Sequence, residues 1–439
     1  MTGSPSVAPR LLRLAWPVAL ARLGIMGMAV VDVMVVGQMA PAELPHQALG
    51  WAPIGVLIVT GIGLLTGVQV LAARALGAGQ PEQAGAAWRR GMTVSMAAGI
   101  ASVALVWLLN ERLFTVFGIA PALAEPSARV ARILAFSVPL HCCYVASAFF
   151  FESIQRPLAS TIVMCAANVL NLVLNLVLVP SWGAEGSAWA TVAARGCLAL
   201  ALLVWVLRLD ERDQYGVLRA GPRPSYRELL GVGAAAAVSH AAEAGAFSGM
   251  TLVAGRLGAD AVATYQILLN LLAIVFMISL GLASATAVLT SEAVGRGAPA
   301  AATRASLVGL AVNGALMVGA AALLWVFARQ VGRAYTASLQ LASAIAGLVW
   351  LAALIMPPDG GQVVASSALR ARGDNWFPTA SHLLAYALVM PGLGYWLAET
   401  RGWGVSGLML AILVASWLSF AVLCARLWQL RFVVSYSKQ

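Results

Sequence analysis

Three carboxylates stand where a carboxylate is costly. Of the 17 acidic residues, 14 lie between apolar runs or at their ends, while Asp32, Glu243 and Asp359 lie well inside such runs. An acid at the middle of a bilayer costs roughly 2.5–3.5 kcal/mol on insertion scales. Such a group either binds an ion, proton or substrate, or is neutralised by a partner and serves packing. Low dielectric disfavours a charged carboxyl, so Asp32, within Val30-Val31-Asp32-Val33, reads as a proton carrier near neutral pH. Amides for it are at hand in Asn168, Asn171 and Asn175. Asn171 and Asn175 are spaced i, i+4 and share a helix face, with Asn168 beside them. Three amides on one stripe of a membrane helix must face protein or water. Hydrogen bonds for packing alone are the other role open to them.

Asp359 has the most distinctive setting, Pro357-Pro358-Asp359-Gly360-Gly361-Gln362. Two prolines before the acid and two glycines after it predict a broken helix, whose freed carbonyls and Gln362 would help hold a cation. Glu243 has His240 one turn earlier on the same face. If its helix meets that of Asp359, the two acids form a shared proton or Na+ site. Tyr265, Gln266 and Asn270 are candidates to line the same part of the molecule, packing being the alternative. Pro17 and Pro139 are further expected bends. Arg22 and Arg195 also fall inside spans, with no assigned partner.

The elements that carry these residues follow from composition. The 439 residues are 61% hydrophobic and 10% charged, against about 45–50% and about 25% in soluble domains. That excludes a soluble or disordered chain and predicts an all-α polytopic membrane protein. Twelve spans are expected, near 11–38, 48–75, 89–110, 128–152, 157–180, 185–208, 228–255, 261–292, 303–327, 338–368, 376–398 and 404–430. Lys438 is the single lysine in a chain of net charge +10. Eighteen of the 27 basic residues fall on the side of the N-terminus and seven on the other. The positive-inside rule then places both termini in the cytoplasm and explains the charge without nucleic acid. Five cysteines inside apolar runs read as packing residues rather than a disulfide or metal framework.

The chain also repeats. Val33–Met39 aligns with Thr251–Leu257, Gly77-Ala-Gly79-Gln-Pro81 with Gly295-Arg-Gly297-Ala-Pro299, and Pro139 with Pro357, all at a shift of 218 residues. His141 thereby takes the position of Asp359. Each half holds six spans, so the halves share one orientation and are expected to be related by a pseudo-two-fold axis. The expected organisation is an N-terminal lobe over 1–208, a cytoplasmic linker over 209–227 and a C-terminal lobe over 228–439. No phosphate-binding loop and no metalloprotease or serine-hydrolase motif is present, so uphill transport would draw on an ion gradient. No cofactor beyond H+ or Na+ is expected.

Asp32 in VVDVMVVG, Asn171 and Asn175 one turn apart, Glu243, YQxxxN over 265–270 and PPDGGQVVASSALRARGD around Asp359 together resemble the MATE transporters. These are multidrug and toxic compound extrusion exporters of the MOP superfamily, and the likeness is to their NorM-like bacterial branch. It covers essentially the whole chain. It implies two lobes in a V-shaped arrangement in a bacterial inner membrane, a single chain as the working unit, and no enzymatic activity. It implies efflux of organic cations and amphipathic drugs in exchange for H+ and/or Na+. Asp32, with Asn171 and Asn175, would be the N-lobe proton or cation site, and Glu243 with Asp359 the C-lobe cation site. Two departures stand out: Ile355 sits where some members carry a Tyr, and Gly231-Val-Gly233 replaces a Gly-Leu-Pro-type bend. The first tilts the expectation toward protons. A lipid-linked precursor flippase of the same superfamily is the alternative, and an intramembrane aspartyl protease a more distant one.

Overall fold

The computed structural model describes residues 7–116, 121–218, 225–335 and 338–436. Fourteen α-helices account for nearly all of them, and no strand occurs among the described residues. In chain order these are α1 (Val7–Met39), α2 (Leu44–Gly77), α3 (Pro81–Val116), α4 (Pro121–Ala135), α5 (Ser137–Ser153), α6 (Leu158–Leu207) and α7 (Tyr226–Arg256). They continue as α8 (Ala259–Gly295), α9 (Pro299–Val326), α10 (Ala328–Tyr335), α11 (Leu339–Ala371), α12 (Trp376–His382), α13 (Met390–Tyr395) and α14 (Gly404–Tyr436).

Ten helical segments are long and apolar enough to cross a membrane among the described residues. Twelve passes follow from two irregularities. The helix α6 runs for 50 residues but contains a non-helical Gly183, at φ 53° and ψ −132°. Only glycine adopts that backbone without strain, and Pro180 just before it withholds an amide donor. The break separates the spans expected over 157–180 and 185–208. The segment from Trp376 to Thr400 alternates α-helix with two π-helical stretches, Leu383–Val389 and Trp396–Thr400. It supplies the pass expected over 376–398.

The repeat is visible in the helix boundaries. Helices α2 and α8 end at Gly77 and Gly295, α3 and α9 begin at Pro81 and Pro299, α5 and α11 end at Ser153 and Ala371, and α6 and α12 begin at Leu158 and Trp376. Each pair is separated by 218 residues. The compact units of the chain divide at the same shift: one comprises residues 20–237, the other residues 1–19 with 238–439. These limits differ from 208 and 228. The first turns of α1 pack with the C-terminal helices, where Gly281 meets the carbonyl of Ala15. The first turns of α7 pack with the N-terminal helices, where a Cβ at Gly233 would lie 1.9 Å from the Leu64 carbonyl oxygen. No side chain fits there, which explains a glycine inside an otherwise alanine-rich helix.

The segment expected as a linker is folded in its first half. Leu209 and Val217 are buried in the core of the 20–237 unit. Arg89 donates to the carbonyls of Gly216 and Val217. Arg156 pairs with Glu211 at 2.6 Å and holds that carboxyl below its ordinary range. Residues 219–224 lie outside the described residues.

Three of the expected bends take another form. Helix α11 continues unbroken through Pro357 and Pro358, so no broken helix frames Asp359. Two prolines deprive the Ala353 and Leu354 carbonyls of their i+4 donors. Burial of nearly every residue from Ile355 to Ala371 against α8, α9 and α14 outweighs that loss. Pro139 sits in the first turn of α5, where an amide donor is not needed. The chain turns just before it, at Phe136. Pro17 lies inside α1, which stays helical through it.

Candidate functional site

Each unit contains a buried polar cluster built on a carboxylate. In the 20–237 unit the acid is Asp32, wholly buried. Asn171 and Asn175, on the first segment of α6, donate to its Oδ1 at 3.0 and 2.8 Å. Thr191, on the segment beyond the Gly183 break, donates to Oδ2 at 2.6 Å. The break in α6 thus folds two segments of one helix around one carboxylate. Asn175 also donates to the Asn171 carbonyl. The amide oxygens of Asn171 and Asn175 are buried and make no hydrogen bond. The two amides thus spend their donors on the acid or its surroundings and keep acceptor oxygens unused in the interior.

Asn168 does not join them. It donates to the Met164 carbonyl at 2.9 Å and lies against Gly24 and Gly27 of α1. Arg195, one turn after Thr191, donates to Ser137 at 2.9 Å and lies over the Trp51 ring. It is an electrostatic neighbour of Asp32. Arg22 faces Glu152 at 3.7 Å and the Phe149 ring, and Gln69 donates to the same carboxylate. Both arginines therefore have protein partners. Glu152, at the end of α5, is a fourth acid in the interior, 4% exposed. His141 is buried, with neither ring nitrogen hydrogen-bonded.

In the other unit, α11 and α7 supply the acids. Asp359 Oδ1 accepts from Tyr386 at 3.3 Å and from Ser416 at 3.4 Å. Gln362, one turn further along α11, donates to Glu243 of α7 at 3.4 Å. That link brings the two acids into one neighbourhood. Half-buried His240 lies one turn before Glu243 on α7. Next to it Ser239 accepts from Arg370 at 2.8 Å. His382, buried with both ring nitrogens without a hydrogen bond, stands edge-on to the Tyr386 ring.

Tyr265, Gln266 and Asn270 of α8 lie in the same unit as Glu243 and Asp359. Tyr265 is fully buried with an unbonded hydroxyl, Gln266 donates to Thr251, and Asn270 accepts from Tyr335 of α10 at 2.9 Å. None of the three hydrogen-bonds to an acid. No group of three or more His, Cys, Asp or Glu that could hold a metal ion occurs among the described residues. The cysteines are free, and Cys165 and Cys197 are exposed rather than buried.

Thr191, Tyr386, Ser416 and His382 escaped the sequence. The only signal was the i, i+4 spacing of His382 and Tyr386 in an apolar run. Applying the 218 shift to the first cluster gives Met250, Val389, Leu393 and Met409; Glu243 and Asp359 map back to Ile25 and His141. The fold is repeated but the chemistry is not.

The MatE family model matches the chain twice, over residues 17–177 and 235–396, with starts again 218 apart. The chain belongs to the MatE family. Relatives of this MatE chain include a probable multidrug resistance protein NorM of Caulobacter vibrioides, 42% identical over 95% of this chain and 90% of the relative. A multidrug resistance protein NorM of Burkholderia vietnamiensis is 31% identical over 94% of the chain and 92% of the relative. Solved structures share the MatE fold at low identity. A eukaryotic MATE transporter superposes with a TM-score of 0.86 at 18% identity, covering 95% of both chains. A MOP superfamily transporter from Pyrococcus furiosus gives 0.86 at 19%, covering 97% of both.

Proposed function

We propose that this membrane protein is a secondary multidrug exporter of the bacterial inner membrane. It exchanges organic cations or amphipathic drugs for H+ and/or Na+, with both termini cytoplasmic. Membership of the MatE family makes it a transporter and not an enzyme. The observation that carries the coupling role is the Asp32 carboxylate, wholly buried and held by Asn171, Asn175 and Thr191. An acid so placed takes up a proton or cation on one side of the membrane and releases it on the other, provided the two conformations bind it differently. The electrical part of the gradient supplies about 2.3 kcal/mol per charge per 100 mV. Glu243 and Asp359 form a second ion site in the C-terminal unit. The proposed lobes are 1–208 and 228–439, with the first turns of α1 and α7 crossing between the halves.

A flippase for pyrophosphate-linked lipids needs unpaired buried cations. Arg22 and Arg195 are engaged by Glu152 and by Ser137 with Trp51, which favours the drug exporter. Expression in a drug-hypersensitive bacterial host tests the reading. Cells carrying the protein should accumulate less ethidium than vector controls, and collapsing the ion gradients with an ionophore should restore accumulation. Unchanged accumulation of ethidium and of a panel of cationic dyes, with the protein present in the membrane, would count against drug export.

A further inference from the structure

Outside the two acid clusters, a basic groove sits where α9 ends, α10 lies and α11 begins. It encloses about 730 Å³, within the roughly 300–1,000 Å³ of small-molecule sites. Arg329 and Arg333 line it together with Trp325, Val326, Leu339 and Ser343. The two arginines are spaced i, i+4 on α10 and so share a face. Neither takes part in an ion pair or hydrogen bond among the described residues, the pairs of this unit being formed by Arg10, Arg256, Arg296 and Arg426. No acid occurs anywhere between residues 293 and 358, so the segment carries no counterion of its own.

The arginines are held in place. Gly332 is buried against the Ala342 carbonyl of α11, and Tyr335 is tied to Asn270 of α8. The walls are apolar and open: Trp325 is 67% exposed and Leu339 78%. Both flanking helices, α9 and α11, are long and apolar enough to cross a membrane, so a groove at their adjoining ends would lie where lipid headgroups begin. Under the internal repeat, Arg329 and Arg333 correspond to Glu111 and Thr115. The basic pair is therefore a property of one half and not of the fold.

We propose that the groove formed by α9, α10 and α11 binds an anionic phospholipid. The phosphodiester is held by Arg329 and Arg333, and the glycerol and first acyl carbons rest on Trp325, Val326 and Leu339. Guanidinium groups pair with phosphate oxygens through charge-assisted hydrogen bonds. A soluble phosphate would leave the apolar walls uncovered, which is why a lipid is the occupant.

Native mass spectrometry of the full chain, released from detergent with added lipid, tests this. The wild type should retain phosphatidylglycerol about tenfold better than phosphatidylcholine, because both offer a phosphodiester but the choline cation of the second is repelled by the two guanidinium groups. R329Q/R333Q should lose that preference, and R329K/R333K should keep part of it. A photoactivatable phosphatidylglycerol should cross-link the wild type within residues 325–343, a result independent of any variant's folding. Equal retention of the two lipids, an unchanged preference in R329Q/R333Q, or cross-links only elsewhere would overturn the proposal. So would glycerol 3-phosphate binding as tightly as the lipid.

Discussion

Asp32→Asn yields a protein that reaches the membrane in normal amounts and exports no ethidium. Three donors converge on the carboxylate. An amide of the same shape still offers one acceptor oxygen to Asn171 and Asn175. Its own N–H can be taken by the Thr191 hydroxyl, which accepts as well as donates. The fold therefore loses little, on the order of 1–3 kcal/mol at most for one imperfectly satisfied group. What disappears is the capacity to gain and lose a proton or to neutralise a cation. The expected efflux rate in whole cells is that of the empty vector, with unchanged protein on an immunoblot of the membrane fraction. Ethidium efflux at the wild-type rate would remove Asp32 from the coupling mechanism.

Glu243→Gln and Asp359→Asn should act on ion dependence rather than on drug binding. Asp359 is held by Tyr386 and Ser416, and Glu243 by Gln362. All these partners donate, so they stabilise the charged acids. Converting either acid to its amide removes a charge from the pair but leaves the shape of the interior. The expected result is a shift of about tenfold or more, some 1.4 kcal/mol, in the sodium concentration or proton activity giving half-maximal efflux. Dye affinity, measured by fluorescence polarisation on purified protein, should change less than about threefold, under 1 kcal/mol. Sodium and pH profiles that coincide with the wild type in both variants would contradict an ion site there.

The spans were legible because hydrophobic runs of membrane length leave few alternatives. The repeat was legible because Gly and Pro mark helix ends, and Gly77/Gly295 and Pro81/Pro299 do so here. Asn171 and Asn175 were legible because two amides at i, i+4 in an apolar helix need a common partner. Thr191 was hidden for a physical reason. Threonines in helices usually bond their own backbone, as Thr60, Thr93 and Thr251 do, so a lone threonine carries no tertiary signal. The sequence was misleading at Pro357-Pro358. Local propensity argues for a break, but α11 is the buried centre of its unit and packing keeps it helical through both prolines. The partner of Arg22 was missed because Glu152 closes a helix and looked solvated. In the fold, that helix end is interior.

The account stands on coupling between drug movement and the Asp32 carboxyl, and reconstitution measures it directly. Purified protein in proteoliposomes containing a pH-sensitive dye, and separately a sodium-sensitive one, is exposed to a pulse of ethidium. The wild type should answer with a flux of protons or sodium opposite to the drug, and D32N should show neither ion flux nor drug uptake. Drug movement in the wild type without flux of either ion, or coupled flux that persists in D32N, would contradict the central claim.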